Sequence, residues 1–124
     1  MNAGVRVAVV DDEVPVRTAV GRLLRLAHYV VTLFPSGEEF LKSLETETPD
    51  CVVLDINMPG MSGLDVQRRL RSVAIMIPAI CITSGEQASL AREVFDAGAV
   101  DLLRKPFSNH DLLQAIRTAL GTND

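Results

Sequence analysis

The segment Cys51-Val52-Val53-Leu54-Asp55 constrains this chain more than any other. It is a short apolar run that ends in one carboxylate, and Ile56-Asn57-Met58-Pro59-Gly60 breaks it at once. A run of this length bounded by Pro and Gly reads as a strand buried on both faces. Three more runs repeat the arrangement. Val5–Val10 ends in Asp11-Asp12-Glu13, Ala79–Ile82 ends in Thr83-Ser84, and Val100–Leu103 ends in Arg104-Lys105-Pro106. Four strand ends therefore deliver acids, an acid, a hydroxyl pair and an amine. In an open parallel sheet the carboxyl edge is where sites are built.

Between the runs the pattern turns helical. Val16, Val20, Leu23, Leu24 and Ala27 share one face of a first helix that follows the acids, with Pro15 in its first turn, where a missing N–H costs little. A second strand covers Val30–Phe34. Ser36 and Glu39 have capping-box spacing ahead of a helix over Glu38–Glu45, which turns Phe40, Leu41 and Leu44 inward. Ser62-Gly63-Leu64-Asp65 opens a third helix with apolar Leu64, Val66 and Leu70 and polar Gln67, Arg68, Arg69 and Arg71. After the strand over Ala79–Thr83, a fourth helix runs from Gln87 to Ala97 with Gly98 as its stop. Ser108 caps a fifth, with Leu112, Leu113, Ile116, Ala119 and Leu120 apolar.

Five strand–helix alternations imply a doubly wound α/β fold, a parallel sheet with helices on both faces and right-handed crossovers. No glycine-rich phosphate loop is present, which favours a flavodoxin-like (βα)5 domain of strand order 2-1-3-4-5 over a dinucleotide-binding half. The 124 residues suffice for one domain with a real core. The net charge of −4 argues against a nucleic-acid surface on this domain. No apolar run approaches the roughly 20 residues of a membrane span. The first one stops after six residues at paired acids, which argues against a signal peptide and for a cytoplasmic location. Cys51 and Cys81 lie inside apolar strands at no metal-motif spacing and read as core. His28 and His110 read as surface.

In the order 2-1-3-4-5, the first and third strands are neighbours, so Asp11, Asp12 and Asp55 converge. Packed carboxylates repel, and one should have a raised pKa unless a cation joins them. Oxygen donors without His or Cys favour a hard ion such as Mg²⁺. Lys105 can aim its ammonium at Asp55, and Thr83 or Ser84 offers a hydroxyl beside it. These are the parts of a phosphoryl-transfer site with an Asp acceptor. Each residue also has a plainer reading: a solvated turn Asp, Asp12 as N-cap of the first helix, Thr83-Ser84 as a helix start, Lys105 as a solvated lysine. The joint occurrence at four strand ends carries the weight.

The ordered set Val9-Val10-Asp11-Asp12-Glu13, Leu54-Asp55-Ile56-Asn57-Met58-Pro59-Gly60-Met61-Ser62-Gly63, Ile82-Thr83-Ser84-Gly85, Gly98-Ala99-Val100-Asp101 and Lys105-Pro106-Phe107 resembles a two-component response-regulator receiver domain of the CheY-like kind over essentially residues 1–124. The resemblance implies that Asp55 is the phosphoacceptor, Thr83 the switch hydroxyl and Lys105 the phosphate clamp. It implies Mg²⁺ on Asp12, Asp55 and the backbone carbonyl of Asn57, with Asp11 acting through water. The implied phosphodonor is a phosphohistidine on a sensor histidine kinase or phosphotransfer protein. Thr83 and Lys105 flank the fourth helix, fifth strand and fifth helix, so the expected output surface is there, through a homodimer or a C-terminal effector domain. The domain would signal rather than turn over a substrate. A cis Lys105–Pro106 bond is also implied. Leu102 stands where the family usually has Tyr or Phe, which puts the usual aromatic swing in question. An aspartate-nucleophile phosphatase of the dehalogenase type would need a second Asp where this chain has Asn57. A binding module with a dead site is disfavoured by the complete acid, hydroxyl and lysine set.

Overall fold

The computed structural model describes residues 4–85 and 88–121. Its elements run β1 (Arg6–Val10), α1 (Val14–Leu26), β2 (Val30–Phe34), α2 (Gly37–Ser43), β3 (Cys51–Asp55), α3 (Gly63–Ser72), β4 (Ala79–Thr83), α4 (Ala88–Asp96), β5 (Ala99–Arg104) and α5 (Asn109–Leu120). All strand pairs are parallel, in the order β2-β1-β3-β4-β5. The expected topology is the observed one. The expected start of α4 at Gln87 lies outside the described residues.

Side chains alternate along the central strands, as the two-residue period of a strand requires. Val7, Val9, Cys51, Val53, Ile80 and Ile82 pack on one face with Val20 and Leu24 of α1 and Leu112 and Ile116 of α5. Ala8, Val10, Val52, Leu54 and Cys81 pack on the other with Phe40 of α2, Val66 and Leu70 of α3 and Val94 of α4. β3 and β4 are buried at every position, whereas β2 and β5, at the sheet edges, are only partly covered. Burial pushes both the Cys51 and Cys81 thiols up to about 12, so they are inert core groups.

The helix ends show why the boundaries fall where they do. Ser62 and Asp65 form a complete capping box, and Ser36 and Ser108 each accept from the backbone N–H three residues on. The N-cap position of α1 is Glu13, not Asp12, and its side chain makes no capping bond. Asp12 is therefore left for the rim. Two helices, α1 and α3, make left-handed stops without glycine. His28 (φ 72°) and Ala74 (φ 59°) take the left-handed position, and the bonds Tyr29 N–H to Leu24 O and Ile75 N–H to Leu70 O close Schellman turns. His28 is exposed as expected, but it serves as a helix stop. Gln67, polar though it is, is buried and donates to the Val94 carbonyl, tying α3 to α4.

Candidate functional site

The register brings the strand ends together. Val10 lies beside Leu54, Asp55 beside Ile82 and Thr83 beside Arg104. Asp55 and Thr83, the last paired residues of their strands, and Asp11 and Lys105, each one residue beyond the pairing, consequently stand on one rim. The Lys105 N–H donates to the Thr83 carbonyl at 2.7 Å, and the Lys105–Pro106 peptide is cis.

Asp11, Asp12 and Asp55 each offer a carboxylate oxygen, and these three atoms lie within 4.8 Å of one another. Asp11 and Asp55 are buried, at 2% and 1% exposure, while Asp12 is exposed. Such a cluster needs compensation, and the chain supplies part of it. The Lys105 ammonium sits 2.6 Å from Glu13 Oε1, 3.2 Å from Asp11 Oδ2 and 3.5 Å from Asp55 Oδ2. Burial works against that ammonium, but Glu13, Asp55 and Asp11 outweigh it and its pKa is raised. The Asn57 N–H donates to Asp55 Oδ1 at 2.9 Å, and the Glu13 N–H does the same to Asp11 Oδ1. Burial nevertheless pushes the Asp55 carboxyl up to about 6. The Asn57 N–H opposes the rise, the Asp11 charge adds to it, and Lys105 pulls it back.

Asp11 Oδ2 is buried, and its contact is the Lys105 ammonium at 3.2 Å, which Glu13 and Asp55 share. One shared ammonium leaves the acids of the rim in excess, and buried negative charge without full compensation is costly. Asp11 Oδ2 faces a cluster made only of oxygen donors, so the residues fit a hard divalent cation.

Thr83 and Ser84 do not point at Asp55. The Thr83 hydroxyl donates to Asn57 Oδ1 at 2.9 Å, the Ser84 N–H to the same oxygen at 2.8 Å, and the Ser84 hydroxyl at 3.3 Å. Sequence reasoning missed three groups here. Glu13 is the nearest partner of Lys105, Arg17 donates to the Asp11 carbonyl at 2.7 Å, and the Asn57 side chain gathers the loop after β4. Glu13 lay in a quoted motif, but no periodicity signals which acid a lysine from another strand will meet.

Gly63 opens α3 directly beneath the acceptor loop. A Cβ there would lie 2.6 Å from the Asp55 carbonyl oxygen and 2.7 Å from Ile56 Cα, so only hydrogen fits. Half-buried Leu102 pairs with Cys81 and packs on the core that β4 shares with α4.

Fold and rim define a doubly wound α/β domain with an acidic cluster and a lysine at its switch point. The match to known proteins makes the class specific. Residues 7–117 fit the model of the response regulator receiver domain, and the chain belongs to that family. It is 42% identical over 112 residues to the response regulator protein TmoT of Ectopseudomonas mendocina, covering 90% of this chain and 51% of that protein. A crystal structure of FixJ-N superposes with a TM-score of 0.88 at 36% identity, covering 94% of each chain. The Vibrio cholerae chemotaxis protein CheY4 superposes equally well, at 28% identity over 95% of this chain and all of that one. The chain spans about half the length of the curated relatives it matches. Among the described residues no helix is long and apolar enough to cross a membrane.

Proposed function

We propose that Asp55 accepts a phosphoryl group from a phosphohistidine on a sensor histidine kinase or phosphotransfer protein, and that the whole of residues 1–124 acts as the receiver. The observation that carries this reading is the buried Asp55 carboxylate clustered with Asp11 and Asp12, with the Lys105 ammonium 3.5 Å from it and 3.2 Å from Asp11. An Asp55 oxygen forms the new P–O bond. The donor's P–N bond breaks, and its electron pair stays on the imidazole. The Asn57 N–H orients the attacking carboxylate by holding its other oxygen. Lys105 turns from Glu13 toward the charge that builds on the phosphoryl oxygens. Asp12, Asp55 and the Asn57 carbonyl would hold Mg²⁺, with Asp11 acting through water, and the ion would supply further neutralisation of that charge.

The product adds negative charge and acceptor oxygens beside Thr83. Capture of the Thr83 hydroxyl shifts the loop after β4 and, through it, α4, β5 and α5, which meet a second copy or an effector domain. The domain is a switch located in the cytoplasm. Intact-mass measurement after incubation with acetyl phosphate tests the reading. One phosphoryl group should be gained with Mg²⁺ and none with EDTA or in Asp55→Asn. Labelling that survives in Asp55→Asn refutes the assignment.

A further inference from the structure

We infer that the Asn57 carboxamide is a latch that holds Thr83 and the start of the β4–α4 loop in the unphosphorylated position; the inference rests on Asp55 being the phosphoacceptor. Asn57 touches both ends of the switch. Its backbone N–H donates to Asp55 Oδ1 at 2.9 Å, while its side-chain oxygen accepts from the Thr83 hydroxyl, the Ser84 N–H and the Ser84 hydroxyl. The orientation of the carboxamide is set by chemistry, because the Ser84 N–H can only donate and so must face oxygen. The Gly85 N–H extends the group by donating to Thr83 Oγ1 at 3.0 Å. The last residue of β4 and the first of the loop after it are thus gathered on one atom of another loop.

Three donors crowd an oxygen that has two lone pairs, and the Ser84 hydroxyl at 3.3 Å is the weakest of them. The arrangement is therefore easily unbalanced. Conversion of the Asp55 carboxylate to an acyl phosphate removes its full charge, and the Asn57 N–H loses a charge-assisted partner. At the same time a phosphoryl oxygen competes with the carboxamide for the Thr83 hydroxyl. Both changes act on Asn57, one through its backbone and one through its side chain. Release of Thr83 and Ser84 is then a single event, and it needs no aromatic ring at the position of Leu102. Asn57 acts through Thr83 and the loop, so it is a positioning residue.

Amide exchange measured by NMR on the full chain tests the latch. Asn57→Ala should speed Ser84 N–H exchange roughly tenfold in the free protein, the factor that one net hydrogen bond of about 1.4 kcal/mol is worth. Asn57→Asp keeps the acceptor oxygen and should leave Ser84 protected, which separates the latch from a general loss of packing. Adding beryllium fluoride with Mg²⁺ should speed Ser84 exchange in the wild type and add little in Asn57→Ala. Equal Ser84 exchange in the free wild type and Asn57→Ala overturns the inference, as does a fluoride complex in which Ser84 stays protected. A wild type that takes no phosphoryl group from acetyl phosphate overturns the phosphoacceptor reading instead. The free-protein comparison still decides the latch.

Discussion

Replacing Gly63 by Ala should damage the rim from beneath without touching any group that carries charge. Gly63 is the first residue of α3, held by the Ser62–Asp65 capping box. An added Cβ would meet the Asp55 carbonyl oxygen at 2.6 Å, Ile56 Cα at 2.7 Å and Ile56 Cγ2 at 2.8 Å. Two of these atoms are main chain and cannot rotate away. Reaching ordinary contact near 3.4 Å demands a retreat of about 0.8 Å by α3 or by the acceptor loop. The loop is pinned by the Ile56 N–H bond to Ile82 and the Asn57 N–H bond to Asp55, and α3 by the Gln67 bond to Val94. Overpacking of this kind costs about 1–3 kcal/mol, and the gain in helix propensity of about 1 kcal/mol or less offsets only part of it. The same displacement moves Asp55 against Lys105. Misplacement by about 1 Å can lower a rate by about a hundredfold, so labelling by acetyl phosphate should slow by between ten- and a hundredfold. Urea titration reads the stability, and labelling is compared at conditions where both proteins are fully folded. Gly98→Ala is the control. Its φ of 108° strains any side chain, but nothing lies within 4 Å, so it should lose stability and keep its labelling rate. A Gly63→Ala protein with wild-type stability and labelling would refute the reasoning.

Ala74→Gly should stabilise the fold by up to about 1 kcal/mol in urea titration, because φ 59° at the end of α3 suits glycine; a loss of stability would contradict this. The Asp55 carboxyl, at about 6, lies above its unfolded value of about 3.9, so the native state holds its proton longer and metal-free stability should fall as pH rises from about 4 to about 6. Saturating Mg²⁺ at pH 7 should raise the melting temperature, and Asp55→Asn should flatten the pH dependence; a metal-free stability that climbs through that window would contradict the electrostatic account. Leu102→Tyr should change self-association in beryllium fluoride, read by sedimentation, while the labelling rate stays the same; an altered labelling rate would place Leu102 in the site.

The topology and β3, β4 and the cap serines were legible because burial on both faces leaves an unbroken apolar run and because Ser at a helix start has a short-range job. The boundaries of β1 and β5 shifted by a residue or two, since at their ends the backbone pairing extends or stops at Arg6, Ala99 and Arg104 regardless of side-chain polarity. The stops at His28 and Ala74 were hidden because neither residue is the glycine that usually marks a left-handed turn. At the rim, the identities of Asp11, Asp12, Asp55, Thr83 and Lys105 were legible from strand ends, but their directions were not. Lys105 pairs most closely with Glu13, 92 positions away, and Thr83 turns to Asn57. Such contacts depend on loop conformation, which no residue pattern encodes. The burial of Gln67 depends on a similar contact: a polar residue is buried where a backbone carbonyl, here that of Val94, receives its amide.

The central claim is that the Asp55 carboxylate itself becomes the acyl phosphate. Borohydride reduces an aspartyl phosphate to homoserine, so treatment after acetyl phosphate and Mg²⁺, followed by peptide sequencing by mass spectrometry, marks the acceptor directly. The account predicts homoserine at position 55, absent when EDTA is present. Homoserine at position 11 or 12 with position 55 unchanged would contradict it.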